Sequence, residues 1–157
     1  MSELWLEYRD RLAGGWKCIS YEIYDGASPD AKVVSRPQGT NPMGRSYLSR
    51  HGYLAAHLAT PDRMRASDTG MPWAKRSDAE IAHVARGLSM YCGYMELFKD
   101  EKGLFWKTKV EIASDPTRVG GFQTRRVELS EENGHAIKIV RPVDPILLDV
   151  SERDLSS

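Results

Sequence analysis

Residues 90–113 read MYCGYMELFKDEKGLFWKTKVEIA, and residues 123–142 read QTRRVELSEENGHAIKIVRP. Each stretch holds two runs rich in aromatic and β-branched residues around a turn, Asp100-Glu101-Lys102-Gly103 in the first and Asn133-Gly134 in the second. Such runs bounded by turn residues are strand signals, and Asn-Gly favours a tight hairpin because both residues tolerate positive φ. Working backward, residues 45–49 and 53–58 flank His51-Gly52 as another hairpin, and residues 16–24, WKCISYEIY, read as a first strand ending at Asp25-Gly26. Between these two, residues 27–43 are loaded with Ser, Pro, Asp, Asn and Gly, a loop with a small edge strand at Lys32-Val33-Val34. Working forward, Pro142 and Pro145 limit ladder donation, and residues 146–150 can add a closing strand.

Two segments break the strand pattern. Residues 3–12 place Leu4, Trp5, Tyr8 and Leu12 at spacings of three and four between charged residues, a short amphipathic helix that Gly14 and Gly15 stop. Ser77-Asp78-Ala79-Glu80 fits a capping box, and Ile81, Val84 and Leu88 then form the stripe of a helix of about three turns. Residues 61–76 carry no periodic apolar set and contain Gly70 and Pro72, a long connection able to act as a lid, in which Met71 and Trp73 would need cover. The tally is seven or eight strands, mostly in hairpins, with two short helices. Consecutive hairpins without βαβ alternation predict a mainly β fold, an antiparallel up-and-down barrel, because closure removes exposed sheet edges. Eight strands enclose either a side-chain core or one small ligand.

Length and charge narrow the function. A chain of 157 residues fits one domain spanning residues 1–157. Lys plus Arg (22) balances Asp plus Glu (22), so no net field exists to hold nucleic acid or an anionic membrane. No stretch approaches the roughly 20 apolar residues of a membrane span. The opening MSELWLEYRDRLAGG lacks the basic-then-apolar order of a secretion signal, so a cytoplasmic location is expected. Cys18 and Cys92 show no C-x-x-C spacing, in keeping with a reducing compartment, and pair only if the fold juxtaposes them. His51 and His57 lie six apart across a hairpin, and no histidine pair has the i,i+4 spacing of a zinc helix. Gly14-Gly15 precedes a strand, whereas phosphate loops precede a helix, and no Gly-x-Ser-x-Gly elbow is present. No cofactor is expected.

Several blocks in order carry a resemblance. They are Leu12-Ala-Gly-Gly-Trp16-Lys-Cys-Ile-Ser20-Tyr21-Glu22, Gly44-Arg-Ser-Tyr47 through His57, Ser77 to Glu80 with Tyr91-Cys-Gly93-Tyr94, and Asp115-Pro116 through Gly120, Gln123 and Arg125. In these the chain resembles the lipocalin-like domain family of small intracellular calycin-type barrels from bacteria and fungi. The resemblance implies a barrel and an apolar ligand, and related calycin-like barrels act as cofactor-free cyclases or isomerases. In the strand after Gly103, where that family leads one to expect a histidine, this chain has Lys107 and Thr108. The resemblance also implies that the first-strand tryptophan, Trp16, points inward near the closed end. Simple alternation then puts Cys18, Ser20, Glu22 and Tyr24 inside as well.

A carboxylate inside a barrel needs a task or a partner, so Glu22 is either a general acid/base or half of a buried ion pair. Arg125 is its expected partner. It either closes the barrel base against Trp16 or Glu22 or binds a ligand oxyanion, while Arg126 faces the other way. Tyr47, His57, Tyr91 and Tyr94 fall on central strands, where a phenol or imidazole can orient or protonate a carbonyl. The odd separation of Tyr91 and Tyr94 sends only one of them inward, and the face of His57 stays open. Trp106 and Phe98 are expected to line the interior. The leading expectation is a cofactor-independent isomerase or cyclase of a small hydrophobic metabolite, with Glu22, Tyr47 and Arg125 catalytic and Trp16, Ser20, His57, Tyr91, Tyr94 and Trp106 binding substrate. The alternative is a noncatalytic carrier or sensor lined by Trp16, Tyr47, Tyr94, Trp106 and Val110. A third is an interaction domain with a filled interior that docks through residues 61–76. An exposed apolar strand face gives a homodimer a surface on which to form.

Overall fold

Hairpin turns set the order of strands. The computed structural model describes residues 2–26, 30–65, 70–142 and 147–154. Helix α1 (Glu3–Leu12) leads into β1 (Gly14–Tyr24), then β2 (Val33–Ser35), β3 (Met43–Leu48) and β4 (Tyr53–Ala59). Helix α2 (Asp78–Ala85) precedes β5 (Leu88–Asp100), β6 (Gly103–Ala113), β7 (Phe122–Glu132), β8 (His135–Pro142) and β9 (Leu147–Asp154). All neighbours pair antiparallel in the order β2-β1-β3-β4-β5-β6-β7-β8-β9, and an added β1–β9 ladder closes eight strands into a barrel, with β2 appended to β1. The final strand expected from residue 146 runs over Leu147–Asp154 instead; Pro145 and Ile146 lie outside the described residues. At the β7–β8 turn Asn133 (φ 51°) and Gly134 (φ 78°) both take the left-handed region, as an Asn-Gly hairpin requires.

Helix α1 plugs one end of the barrel. Ser2 caps it by accepting from the Trp5 amide at 3.2 Å, and the Trp5 indole donates to the Arg50 carbonyl at 3.0 Å in the β3–β4 turn. Trp5 and Leu12 thereby enter a core with Leu48, Leu54, Met95, Leu97, Trp106, Val127 and Val140. The Trp16 indole donates to the Leu12 carbonyl at 2.8 Å, so the first strand and the plug are fixed to one another. At the opposite end lie β2, the connections on either side of α2, and short 3-10 turns at Pro61–Arg63, Trp73–Lys75 and Pro116–Arg118. The capping box forms as expected, Glu80 N to Ser77 Oγ at 3.3 Å and Ser77 N to Glu80 Oε2 at 3.1 Å. Helix α2 is shorter than its apolar stripe implied. The chain reverses at buried Gly87, whose carbonyl accepts from the Thr60 amide at 2.9 Å, and Leu88 opens β5. Met71 and Trp73 stay exposed.

Two bulges re-aim the barrel wall. In β1, Cys18 pairs with Ser151 and Ser20 with Val150, leaving Ile19 without a ladder partner. An extra residue on one strand inverts the alternation that follows. In β6, Cys92 pairs with Ile112 but Gly93 with Val110, so Glu111 is the extra residue. Gly93 is obligatory there, since a Cβ would lie 1.8 Å from the Lys109 carbonyl oxygen.

Candidate functional site

Period-two geometry sorts each strand into an inner and an outer face. The register joins Trp16 to Ser46, Ser46 to Ala56 and Ala56 to Tyr91, and also Leu48 to Leu54 and Leu54 to Gly93. It continues with Leu104 to Val127, Trp106 to Arg125 and Thr108 to Gln123, then Val127 to Val140 and Leu129 to Lys138. These form the inner face. Next to the α1 plug it is filled by large apolar side chains. Toward the far end the inner positions become Tyr21, Ile23, Ser46, Leu58, Tyr91, Gln123 and Arg125, each only partly buried. Inward groups of a closed barrel keep accessible surface only where solvent enters, so the lumen is open at its far mouth, while Cys18, Thr108 and Val110 behind it stay buried.

Its floor is cationic and aromatic. Lys138, 2% exposed, sends its ammonium across the barrel to 4.6 Å from the Trp16 ring centre and 5.8 Å from that of Trp106. It also donates to Ser46 Oγ at 3.2 Å. Ring faces carry partial negative charge, so they offset part of the desolvation of a buried ammonium. Arg153 stacks at 5.0 Å on Trp16 and donates to the Ala13 carbonyl. The base is therefore closed by Arg153 and Lys138, which take up the first of the two tasks open to Arg125. Arg125 donates instead to Gln123 Oε1 at 2.8 Å and to the Thr124 carbonyl at 2.9 Å.

The β1 bulge corrects the inward placement of Ser20, Glu22 and Tyr24. Past Ile19 it is Tyr21 and Ile23 that share phase with Trp16 and Cys18. Glu22 accepts from Tyr24 Oη at 2.8 Å and from Arg36 Nε at 2.8 Å. The Tyr24 hydrogen bond and then the Arg36 guanidinium hold its carboxyl below the ordinary value, with burial opposing, and the same bond pushes the Tyr24 phenol up. Its ion-pair partner is thus Arg36, not Arg125.

Three more expected site residues lie outside the lumen. Tyr47 (60% exposed) is in register with Gly15 and Ala55, and Tyr94 (58% exposed) with Tyr53 and Lys109, all on the outer face. His57 pairs with Arg45 and Met90 and lines a groove of about 510 Å³ on that same face. Tyr91 is the inward member of its pair, and Trp16, Trp106 and Arg125 face inward as expected. Tyr53, also outward, donates toward Cys92 Sγ (3.3 Å) and Glu111 Oε2 (2.9 Å), which hold its phenol protonated well above the ordinary value. Cys18, inside the barrel, and Cys92, on its wall, form no disulfide.

Sequence reading missed Lys138, Ser46 and Arg153, and met Thr108 only as a residue standing where the resemblance leads one to expect a histidine. The alternation of residues 136–140 held a signal for Lys138, but Ile137 and Ile139 are the more hydrophobic set and invite the opposite assignment. Among the described residues, no three His, Cys, Asp or Glu side chains converge as metal ligands, and no helix is long and apolar enough to cross a membrane.

A plugged eight-stranded barrel with an inward first-strand tryptophan and an open far half is the geometry of the calycin barrels. The family model described as a lipocalin-like domain matches residues 13–153. The chain belongs to the lipocalin-like domain family. No curated protein and no solved structure matches it. A lipocalin-like barrel is a fold suited to binding a small ligand.

Proposed function

We propose that this lipocalin-like protein binds one small, mainly apolar molecule in the far half of its barrel. The observation that supports the reading is the contrast within the interior. Large side chains fill the plugged half, while Ser46, Ala56 and Gly93 keep the other half wide and Tyr21, Tyr91 and Arg125 remain partly accessible around it. Pockets of this kind, apolar with a few polar anchors, are the usual form of small-ligand sites. Native mass spectrometry of protein purified from its own host tests the reading, with a copurified metabolite in the expected mass range as the expected result. Loss of ligand on replacing Ser46 by a lumen-filling Phe, with the fold intact, places that metabolite inside the barrel; retention places it elsewhere.

A second reading, a cofactor-independent isomerase or cyclase, draws on the Lys138 ammonium at the lumen floor. A fixed positive charge aimed at a carbonyl oxygen stabilises the enolate that forms when a neighbouring proton is moved. In this reading Arg125 and Lys138 hold the oxygen and Tyr91 is the proton-transfer group facing the lumen. Incubation of the copurified metabolite with fresh protein separates the two readings: a new isomer supports the enzyme, and unchanged ligand supports the carrier. Tyr91→Phe retaining full turnover would remove Tyr91 from the mechanism.

A further inference from the structure

Four adjoining inward positions on β6 and β7 form a block: Trp106 opposite Arg125 and Thr108 opposite Gln123. Thr108 is 0% exposed and Trp106 2% exposed, and neither Thr108 Oγ1 nor Trp106 Nε1 has a hydrogen-bond partner. Buried polar groups are nearly always paired, because an unmade bond forfeits the hydration it replaced. Two unpaired groups at adjoining inward positions, both closed off from bulk solvent, therefore lack an acceptor. Arg125 adds charge. Its guanidinium is held by neutral groups only, the Gln123 carboxamide and the Thr124 carbonyl, and among the described residues no carboxylate lies within ion-pair distance. A half-buried guanidinium fixed by a side-chain amide, with further N–H groups to donate, suits a planar oxyanion.

We propose that this block is an oxyanion subsite and that the ligand is a small amphiphilic organic acid. Its carboxylate is held by Arg125, Thr108 Oγ1 and Trp106 Nε1, and its apolar body fills the lumen. Gln123 is a positioning residue that locks the guanidinium. The inference rests on the lumen reading above and adds the charge of the ligand's buried end.

Calorimetric titration with decanoate and with decan-1-ol tests it on the full chain. The subsite predicts decanoate binding at least roughly tenfold tighter, the difference made by a charged hydrogen-bonded pair. Arg125→Gln removes that preference. Thr108→Val separates function from structure, since it deletes an unpaired buried hydroxyl at nearly constant volume. Its melting temperature rises while its decanoate affinity falls, opposite signs that a purely structural threonine does not produce. Equal affinity for acid and alcohol, or a preference that survives Arg125→Gln, overturns the subsite and leaves lumen binding standing. Unchanged decanoate affinity in Thr108→Val also overturns it. Binding of neither probe overturns both readings.

Discussion

Along β6 the inward positions run Leu104, Trp106, Thr108, Val110 from the plugged end outward, and along β7 they run Leu129, Val127, Arg125, Gln123. On β7 the lining thus changes halfway, from an apolar core continuous with α1 to the polar, partly accessible Arg125 and Gln123, while on β6 Trp106, Thr108 and Val110 all stay buried. The β6–β7 pairing does not impose the change, because that ladder runs without a shift from Leu104 opposite Val127 to Lys109 opposite Phe122. Side-chain volume and the helix plug make the difference. Trp5, Leu12, Trp16 and Trp106 fill the section near α1, while Ser46, Ala56 and Gly93 leave the other section wide. On the reading proposed above, stability is concentrated in the first half and the second is left to a ligand.

The sharpest way to break that division is at Trp16. Truncation to Ala removes a side chain packed between Lys138 and Arg153 and bonded to Leu12. It should cost about 3–5 kcal/mol, as large-to-small core changes do, read as a lower urea midpoint. The change in the lumen, Tyr91→Phe, keeps the ring and should cost no more than about 1.5 kcal/mol, the net worth of one hydrogen bond. A comparable loss at both sites would mean that the two halves are a single core. Gly93→Ala comes next. The added methyl collides with the Lys109 carbonyl at the β5–β6 bulge, and about 1–3 kcal/mol of destabilisation is expected, more if the bulge cannot yield.

What the sequence could convey follows the same division. Hairpins announce themselves locally, through Asn133-Gly134, His51-Gly52 and alternating runs, so the barrel and the capping box at Ser77 were legible, while the inward direction of Trp16 came from the family resemblance. Bulges do not. Nothing in WKCISYEIY marks Ile19 as the residue without a ladder partner, because its position is set by β9, some 130 residues away. One unpaired residue carried Ser20, Glu22 and Tyr24 out of phase and gave Glu22 to Arg36. On β8 hydropathy misled for a related reason. Ile137 and Ile139 face out and Lys138 faces in, an arrangement that makes sense only once the two tryptophan rings beneath the ammonium are in place. The family resemblance leaves Arg125 either at the base or toward a ligand, and the neutral partners that hold it are three-dimensional facts.

Farther from the interior, effects shrink. Ser77→Ala removes the α2 cap at the lumen end and should cost about 1 kcal/mol at most globally, seen first as lost amide protection in α2. A base-side counterpart with the smallest effect is Asp100, at the β5–β6 turn, which receives both terminal nitrogens of Arg126 at 2.8 and 2.9 Å. The Arg126 hydrogen bonds, joined by the Lys102 amide, lower its pKa from 3.8 to about 2. A depressed carboxylate contributes stability above its unfolded value, and that contribution fades as pH falls through the folded value. Asp100→Asn should therefore lower the melting temperature slightly at pH 7, with the gap to the parent closing between pH 4 and pH 2 as the parent's carboxylate protonates. Salt should narrow the gap at pH 7 as well, since the pair is solvent-facing. A gap that persists at pH 2 would assign the loss to turn geometry, through the Lys102 amide bond to Asp100 Oδ1, and not to charge.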